Sequence, residues 1–355
     1  MSHFTVLVVG EDPEEQLQPF HEFECTGQND EYVQEIDKTE EAREMYEKEK
    51  ERLLRSPDGQ LHNYYDDIFY RQKAEKPKHP FDENKEHFIP EGYEEVECLY
   101  SERHTLLDFI GYYYGEKEPV PFGQEPDIEG EHKYGYALLD KDGNVVKYVR
   151  RTNPNRKWDW FQIGGRWTGY FIIKEGGRGA LGKPGVFDNK PHHDADQARK
   201  GDIDFASMRF VAANEAGDEF DKFMAVLDGR DFPTPWAEVR DKMFPGDIDA
   251  ARNYYNNQEV VKAVNTANPS MVPWDEDMNT YYCNGNREAF VDKKVKRCIS
   301  TFAVLKDGIW YERGDMGWFG MVSNEKDQGA WEEEFGKLLD SLPDDTLLTV
   351  VDCHI

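Results

Sequence analysis

Residues 3–9, HFTVLVV, and residues 347–353, LLTVVDC, decide the architecture. Both runs are short, apolar and rich in β-branched side chains, which suits a buried strand better than a helix. The first ends at Gly10, and the turn Pro343-Asp344-Asp345 precedes the second. Strands this hydrophobic belong in the middle of a sheet, yet they lie at the two ends of the chain. The economical solution is an α+β fold whose mainly antiparallel sheet joins the N- and C-terminal strands and is covered by helices.

Working inward, residues 134–139 and 300–306 read as further strands of that sheet. Each opens a hairpin with an Asp-Gly turn, at Asp142-Gly143 and Asp307-Gly308, a strong short-range hairpin signal. Helices are expected over 37–55, 101–114 and about 328–341, with a short one starting at Asp12-Pro13. Residues 202–263 read as mainly helical. The pattern sets out a core domain of residues 1–174 and 300–355, with a polar and aromatic excursion near 56–131. Residues 175–299 would form a mainly helical insertion.

The chain has 355 residues, 14% of them aromatic, and a net charge of −29. A chain this rich in aromatics has the apolar surface to fold. Its long-range field repels phosphate backbones and anionic lipid, which disfavours direct nucleic-acid binding and membrane association. The five cysteines are far apart and form no CxxC pair, so neither a disulfide framework nor a zinc finger is expected. No run approaches the length of a membrane span. A reducing cytoplasm is the expected setting.

Two places concentrate chemistry. On a strand, alternate residues share a face, so Asp352 and His354 point the same way. If the first and last strands are neighbours, His3 joins them. A carboxylate and two imidazoles can hold a divalent metal or act as an acid–base set. The second place is WDWFQIGGRW, residues 158–167. Glycines allow close backbone approach, Arg166 offers a fork for phosphate or carboxylate, and Trp158, Trp160 and Trp167 offer stacking surfaces. Together they suggest a pocket for a nucleotide-like or anionic ligand.

Three weaker candidates remain. Arg313-Gly314-Asp315-Met316-Gly317-Trp318-Phe319-Gly320 has the same Gly–Trp character as the second place. His192-His193-Asp194-Ala195-Asp196 could collect metal, although such a run in a Gly- and Pro-containing loop is more commonly solvated surface. Cys25, with His21 close in sequence, could pair a nucleophile with a base.

The segments MSHFTVLVVG, KWDWFQIGGRWTG and LLDSLPDDTLLTVVDCHI together resemble a family of uncharacterised proteins of bacteriophages and bacterial mobile elements. The resemblance covers most of the chain. It implies a phage or prophage origin and action in a host bacterial cytoplasm. It brings no activity and assigns no residue a role.

The leading expectation is a protein that binds a small anionic ligand, or hydrolyses it if Asp352 and His354 hold a metal. Two other readings stay open. One is an acidic interaction protein that mimics nucleic acid toward a basic host protein. The other is a virion or assembly protein. Whether the chain is an enzyme is open at this level.

Overall fold

The computed structural model describes residues 2–73, 85–115, 118–185, 190–273, 276–317, 320–327 and 329–355. The fold is α+β. Contacts divide the chain into two units, residues 1–21 with 157–355, and residues 22–156.

In the first unit the N-terminal strand, His3–Val9, lies antiparallel to the C-terminal strand, Leu347–His354. On its other side it runs parallel to Ala303–Lys306, which turns back into Ile309–Glu312. The far edge of the C-terminal strand is shared. Gln197–Arg199 pairs with its first half and Trp160–Gly165 with its second. Among the described residues this sheet has eight strands.

Alternation sorts the side chains into two cores. Phe4, Val6, Val8, Val351 and Cys353 face one side and pack with Leu17, Phe20, Trp158 and Phe302. Leu7, Val9, Leu348 and Val350 face the other, under Phe171 and the helix Ala330–Ser341, which contributes Trp331, Phe335 and Leu339. The long helix Phe205–Leu227 is capped by the Asp204 carboxylate, which accepts from Ser207 N. That contact holds the Asp204 carboxyl below its usual range. This helix packs on Arg287–Arg297 and Glu259–Ala267 around a separate apolar core containing Phe220, Phe223, Tyr282 and Phe290.

In the second unit, the hairpin Gly135–Leu139/Val145–Thr152 pairs with Gln34–Asp37. A second sheet joins Lys50–Arg55 to Glu94–Leu99 and Leu61–Asn63. The helix Leu106–Tyr114 starts with a capping box between Thr105 and Asp108.

Two expectations change. The Asp142-Gly143 hairpin is not in the sheet of the terminal strands, because its open edge is taken by Gln34–Asp37. The helix expected over 37–55 stops at Lys48, and Lys50–Arg55 is a strand. Its two apolar residues, Leu53 and Leu54, are buried by sheet pairing; a helix continuing in register would have left neighbouring charged positions to enclose them. The helices of 205–297 have a core of their own and share a contact unit with the sheet. Part of the excursion near 56–131, residues 74–84 and 116–117, lies outside the described residues.

Leu348 is fully buried between strands and helix. Leu348→Ala should lower unfolding free energy by about 3 kcal/mol through lost burial and the cavity left behind. Leu181→Ala, at an exposed position, should change it by less than ~0.5 kcal/mol. Urea denaturation of the two variants checks this; equal midpoints would contradict the placement of the C-terminal strand.

Candidate functional site

The face of the sheet that carries Leu7 and Val350 changes character toward the chain termini. In the antiparallel register Thr5 lies opposite Asp352 and His3 opposite His354. On the other side Gln162 lies opposite Asp352 and Trp160 opposite His354. Directly opposed residues share a face, so three strands present His3, Asp352, His354, Trp160, Thr5 and Gln162 together.

Two histidine–carboxylate pairs form there. His3 Nδ1 is 2.8 Å from Asp352 Oδ1, and His354 Nδ1 is 2.6 Å from Asp159 Oδ1. A carboxylate accepts, so each Nδ1 carries the proton and donates it. In the neutral ring this leaves Nε2 as the basic lone pair. The two imidazoles meet edge to face with centroids 4.9 Å apart. Trp160 stacks on His354 at 5.4 Å and 15° and meets His3 edge-on at 5.2 Å. Asp352 and His354 are buried. His354 Nε2 is enclosed and has no hydrogen-bond partner, an uncommon state for a buried polar atom.

The Gly164-Gly165 pair explains how two carboxylates fit beneath a turn. Gly165, with φ +57°, leaves no room for a Cβ against Asp352. The next residue, Arg166, donates its backbone N–H to Asp352 Oδ2 at 2.9 Å. Gly164, with φ +83°, abuts Asp196 in the same way. Asp196 is fully buried and accepts from Gly169 N at 2.7 Å, Gly182 N at 2.8 Å, Tyr170 N at 3.1 Å and Thr168 Oγ1 at 3.1 Å. A carboxylate satisfied by backbone amides is a stable buried charge, and this one ties the turn after Gly165 to the loop before Gln197.

The sequence-derived candidates therefore separate. His3, Asp352, His354 and Trp160 come together. Arg166 sits at the edge through its backbone, with its side chain exposed, and Trp167 is half-buried in the same turn. Trp158 leaves the group: it is buried, its indole donates to Leu17 O at 2.9 Å, and it packs edge-on to Phe161. Strand alternation would put Trp158 on the face of Trp160, but Trp158 lies before the strand begins and its indole is held by Leu17 in the core of the other face.

In His3 and His354 each Nδ1 is taken by a different carboxylate. Among the described residues no group of three or more His, Cys, Asp or Glu side chains is arranged to hold a metal ion. In the run 192–196 the backbone N–H groups of His192 and His193 donate to Thr168 and Gly169, and Asp196 is a buried anchor and not solvated surface. His21 is fully buried and Cys25 exposed. Trp318 and Phe319 lie outside the described residues.

From the sequence Asp159 has no role, and Asp196 has only a place in a metal-collecting run, not that of an anchor. Asp159 sits between two tryptophans in WDW, a signal for a polar side chain held in an apolar setting. Comparison of the chain with protein-family models, with curated proteins and with solved structures finds no match. Among the described residues no helix is long and apolar enough to cross a membrane.

Asp196→Ala would strand four donors at once and should destabilise the protein by about 3 kcal/mol or more, read from the urea midpoint; a loss under ~1 kcal/mol would deny it the anchoring role. On the opposite face of the strand, burial pushes the Cys353 thiol well above its usual pKa, helped by the charges of Asp352 and Asp159. Since the thiolate is the reactive form, Cys353 should resist iodoacetamide at pH 8 until the protein unfolds, while the exposed Cys25 is alkylated in the native state. Peptide mass mapping with and without urea distinguishes the two.

Proposed function

We propose that this chain binds a small anionic, nucleotide-like ligand at the His3–His354 face and hydrolyses it by acid–base catalysis. The observation that carries the reading is the tandem of His–Asp pairs with His354 Nε2 left unpartnered. A buried ring nitrogen without a partner is uncommon; His132 Nε2 is another here, but its Nδ1 accepts from a backbone amide and is not paired with a carboxylate. A pair of imidazoles, each oriented by its own carboxylate, is suited to moving protons.

In the proposed reaction one Nε2 takes a proton from water as the water oxygen attacks phosphorus. The other imidazole, protonated, gives its proton to the departing oxygen. The ester bond breaks, and the product acid and alcohol leave the two rings with their proton states exchanged. A second proton transfer through solvent restores them. Trp160, half-buried over His354, supplies a stacking surface for a base and is the cover a ligand displaces. Arg166, on the turn whose backbone holds Asp352, supplies the cation for the phosphate. The proposed step uses no metal: among the described residues no group of three or more His, Cys, Asp or Glu side chains is arranged to hold one. The resemblance to phage and mobile-element proteins adds a setting, the host bacterial cytoplasm.

The rival reading, an acidic mimic of nucleic acid, calls for a contiguous face of carboxylates. Surface acids here are interleaved with cations, as in Lys38–Glu41, Arg52–Glu95, Arg287–Asp221 and Lys337–Glu333.

Hydrolysis of bis(4-nitrophenyl) phosphate and calorimetric binding of AMP provide the test. His354→Gln and His3→Gln should each lower turnover by about 10²–10⁴-fold, and Arg166→Ala should abolish AMP binding. Turnover should survive EDTA. Unchanged turnover in both histidine variants would end the acid–base reading, and loss in EDTA would hand the site to metal chemistry.

A further inference from the structure

A cleft of about 710 Å³ opens among the helices of the first unit, away from the elements that carry the histidine pairs. Its volume is within the ~300–1,000 Å³ of small-molecule sites. Trp236 and Tyr255 form one corner, with ring planes at 78° and centroids 5.7 Å apart. The remaining wall is planar and polar: Asn256, Asn279 and Asn284 with Arg252, Thr280 and Glu276.

The aromatic corner is fixed in place. Thr234 and Gln258 exchange two hydrogen bonds, Thr234 N to Gln258 Oε1 at 2.7 Å and Gln258 Nε2 to Thr234 O at 3.2 Å. Asn279 Nδ2 donates to Pro233 O at 3.1 Å. Asp277 caps the helix Met278–Tyr281 through Asn279 N and Thr280 N, and its second oxygen accepts from Trp236 N at 3.4 Å. The segment that carries Trp236 is thus tied on both sides before any ligand arrives, which lowers the ordering cost of binding.

Two features have no role in the fold itself. Asn279 Oδ1 is enclosed without a hydrogen-bond partner. At the rim, Cys283, Asn284 and Gly285 have φ of +49°, +52° and +81° in succession. Two consecutive left-handed residues with a Cβ are costly, and such conformations gather at ligand sites. They set Asn284 at the edge of the cleft.

The chemistry selects the ligand. An indole face, a phenol, two accessible carboxamides and a guanidinium suit a molecule with apolar C–H faces and many hydroxyls. The charge disfavours a phosphate: among the described residues Arg252 is the one cation lining the cleft, it pairs loosely with Asp249 at 3.8 Å, and Glu276 and Asp277 stand with it. We propose that this cleft is a saccharide-binding site for neutral or N-acetylated oligosaccharides, with Trp236 as the stacking platform, Asn256 and Asn284 as hydroxyl and acetamido partners, and Asn279 holding the segment that carries Trp236.

The test is binding of the full-length protein to immobilised oligosaccharides of two to six units, covering neutral hexose, N-acetylhexosamine and uronic-acid chains, with AMP as the phosphate control. Hits are titrated by tryptophan fluorescence. At least one neutral or N-acetylated chain should bind. Trp236→Ala should weaken it by about tenfold or more, while Arg166→Ala leaves it unchanged. Circular dichroism establishes that the Trp236 variant is folded; if it is not, Asn256→Ala and Arg252→Gln, both at exposed positions, carry the test with a loss of about threefold or more each. No binding across the panel, binding indifferent to these variants, or AMP displacing the saccharide would each overturn the proposal.

Discussion

The antiparallel pairing of the two chain ends is the constraint on which the first unit depends. Its register, from His3 opposite His354 to Val9 opposite Leu348, determines both cores and the polar face at once. A slip of one residue would exchange side chains between the two faces of a strand, taking Leu7 or Val350 out of the core under Phe171 and driving His3 or Asp352 into the side that packs Phe4, Val6 and Cys353. The two apolar cores therefore hold the histidine pairs in place: burial of Leu348, Val350 and Val351 fixes the register, and the register delivers Asp352 and His354 to the same face as His3.

The second constraint is electrostatic. Three carboxylates, Asp159, Asp196 and Asp352, and two imidazoles lie in or beside the sheet of a chain with a net charge of −29. Burying charge is costly unless it is matched by donors. The protein matches it in two ways. Asp196 is surrounded by backbone amides and a hydroxyl, and it holds loops. Asp352 and Asp159 each take an imidazole N–H, and they orient rings. The glycines at 164 and 165 permit both arrangements, since each lets a carboxylate lie against bare backbone. A pair of adjacent glycines thus serves one anchoring and one orienting acid, while Arg166 N completes the second.

The helical part of the first unit follows a different logic. Its core of Phe220, Phe223, Tyr282 and Phe290 is built from stacked aromatics, and the rings of Phe223 and Tyr282 lie 3.6 Å apart and nearly parallel. Such a core leaves polar loops between short helices. Those loops are held by side-chain amides, Gln258 and Asn279, in place of sheet ladders. The cleft beside Trp236 is the product of that construction, and its preorganised corner is what makes it more than a gap between helices.

The sequence by itself determined the local elements and the shared face. The terminal strands, the two Asp-Gly hairpins and most helices follow from β-branched runs, turn residues and capping acids. That Asp352 and His354 share a face follows from strand periodicity alone, and the adjacency of His3 from the reasoning that two such apolar strands must pair. Tertiary structure decided the rest. Leu53 and Leu54 form a strand because sheet partners bury them, against the helical pattern of the residues just before. The Asp142-Gly143 hairpin joined Gln34–Asp37 because sheet edges pair with whatever strand completes them, which local pattern does not record. Trp158 became core, and Asp159 became the partner of His354. Side-chain direction at a strand end, and the choice of which acid meets which imidazole, are set by contacts between residues as far apart as 3 and 352, and no short stretch of sequence carries them.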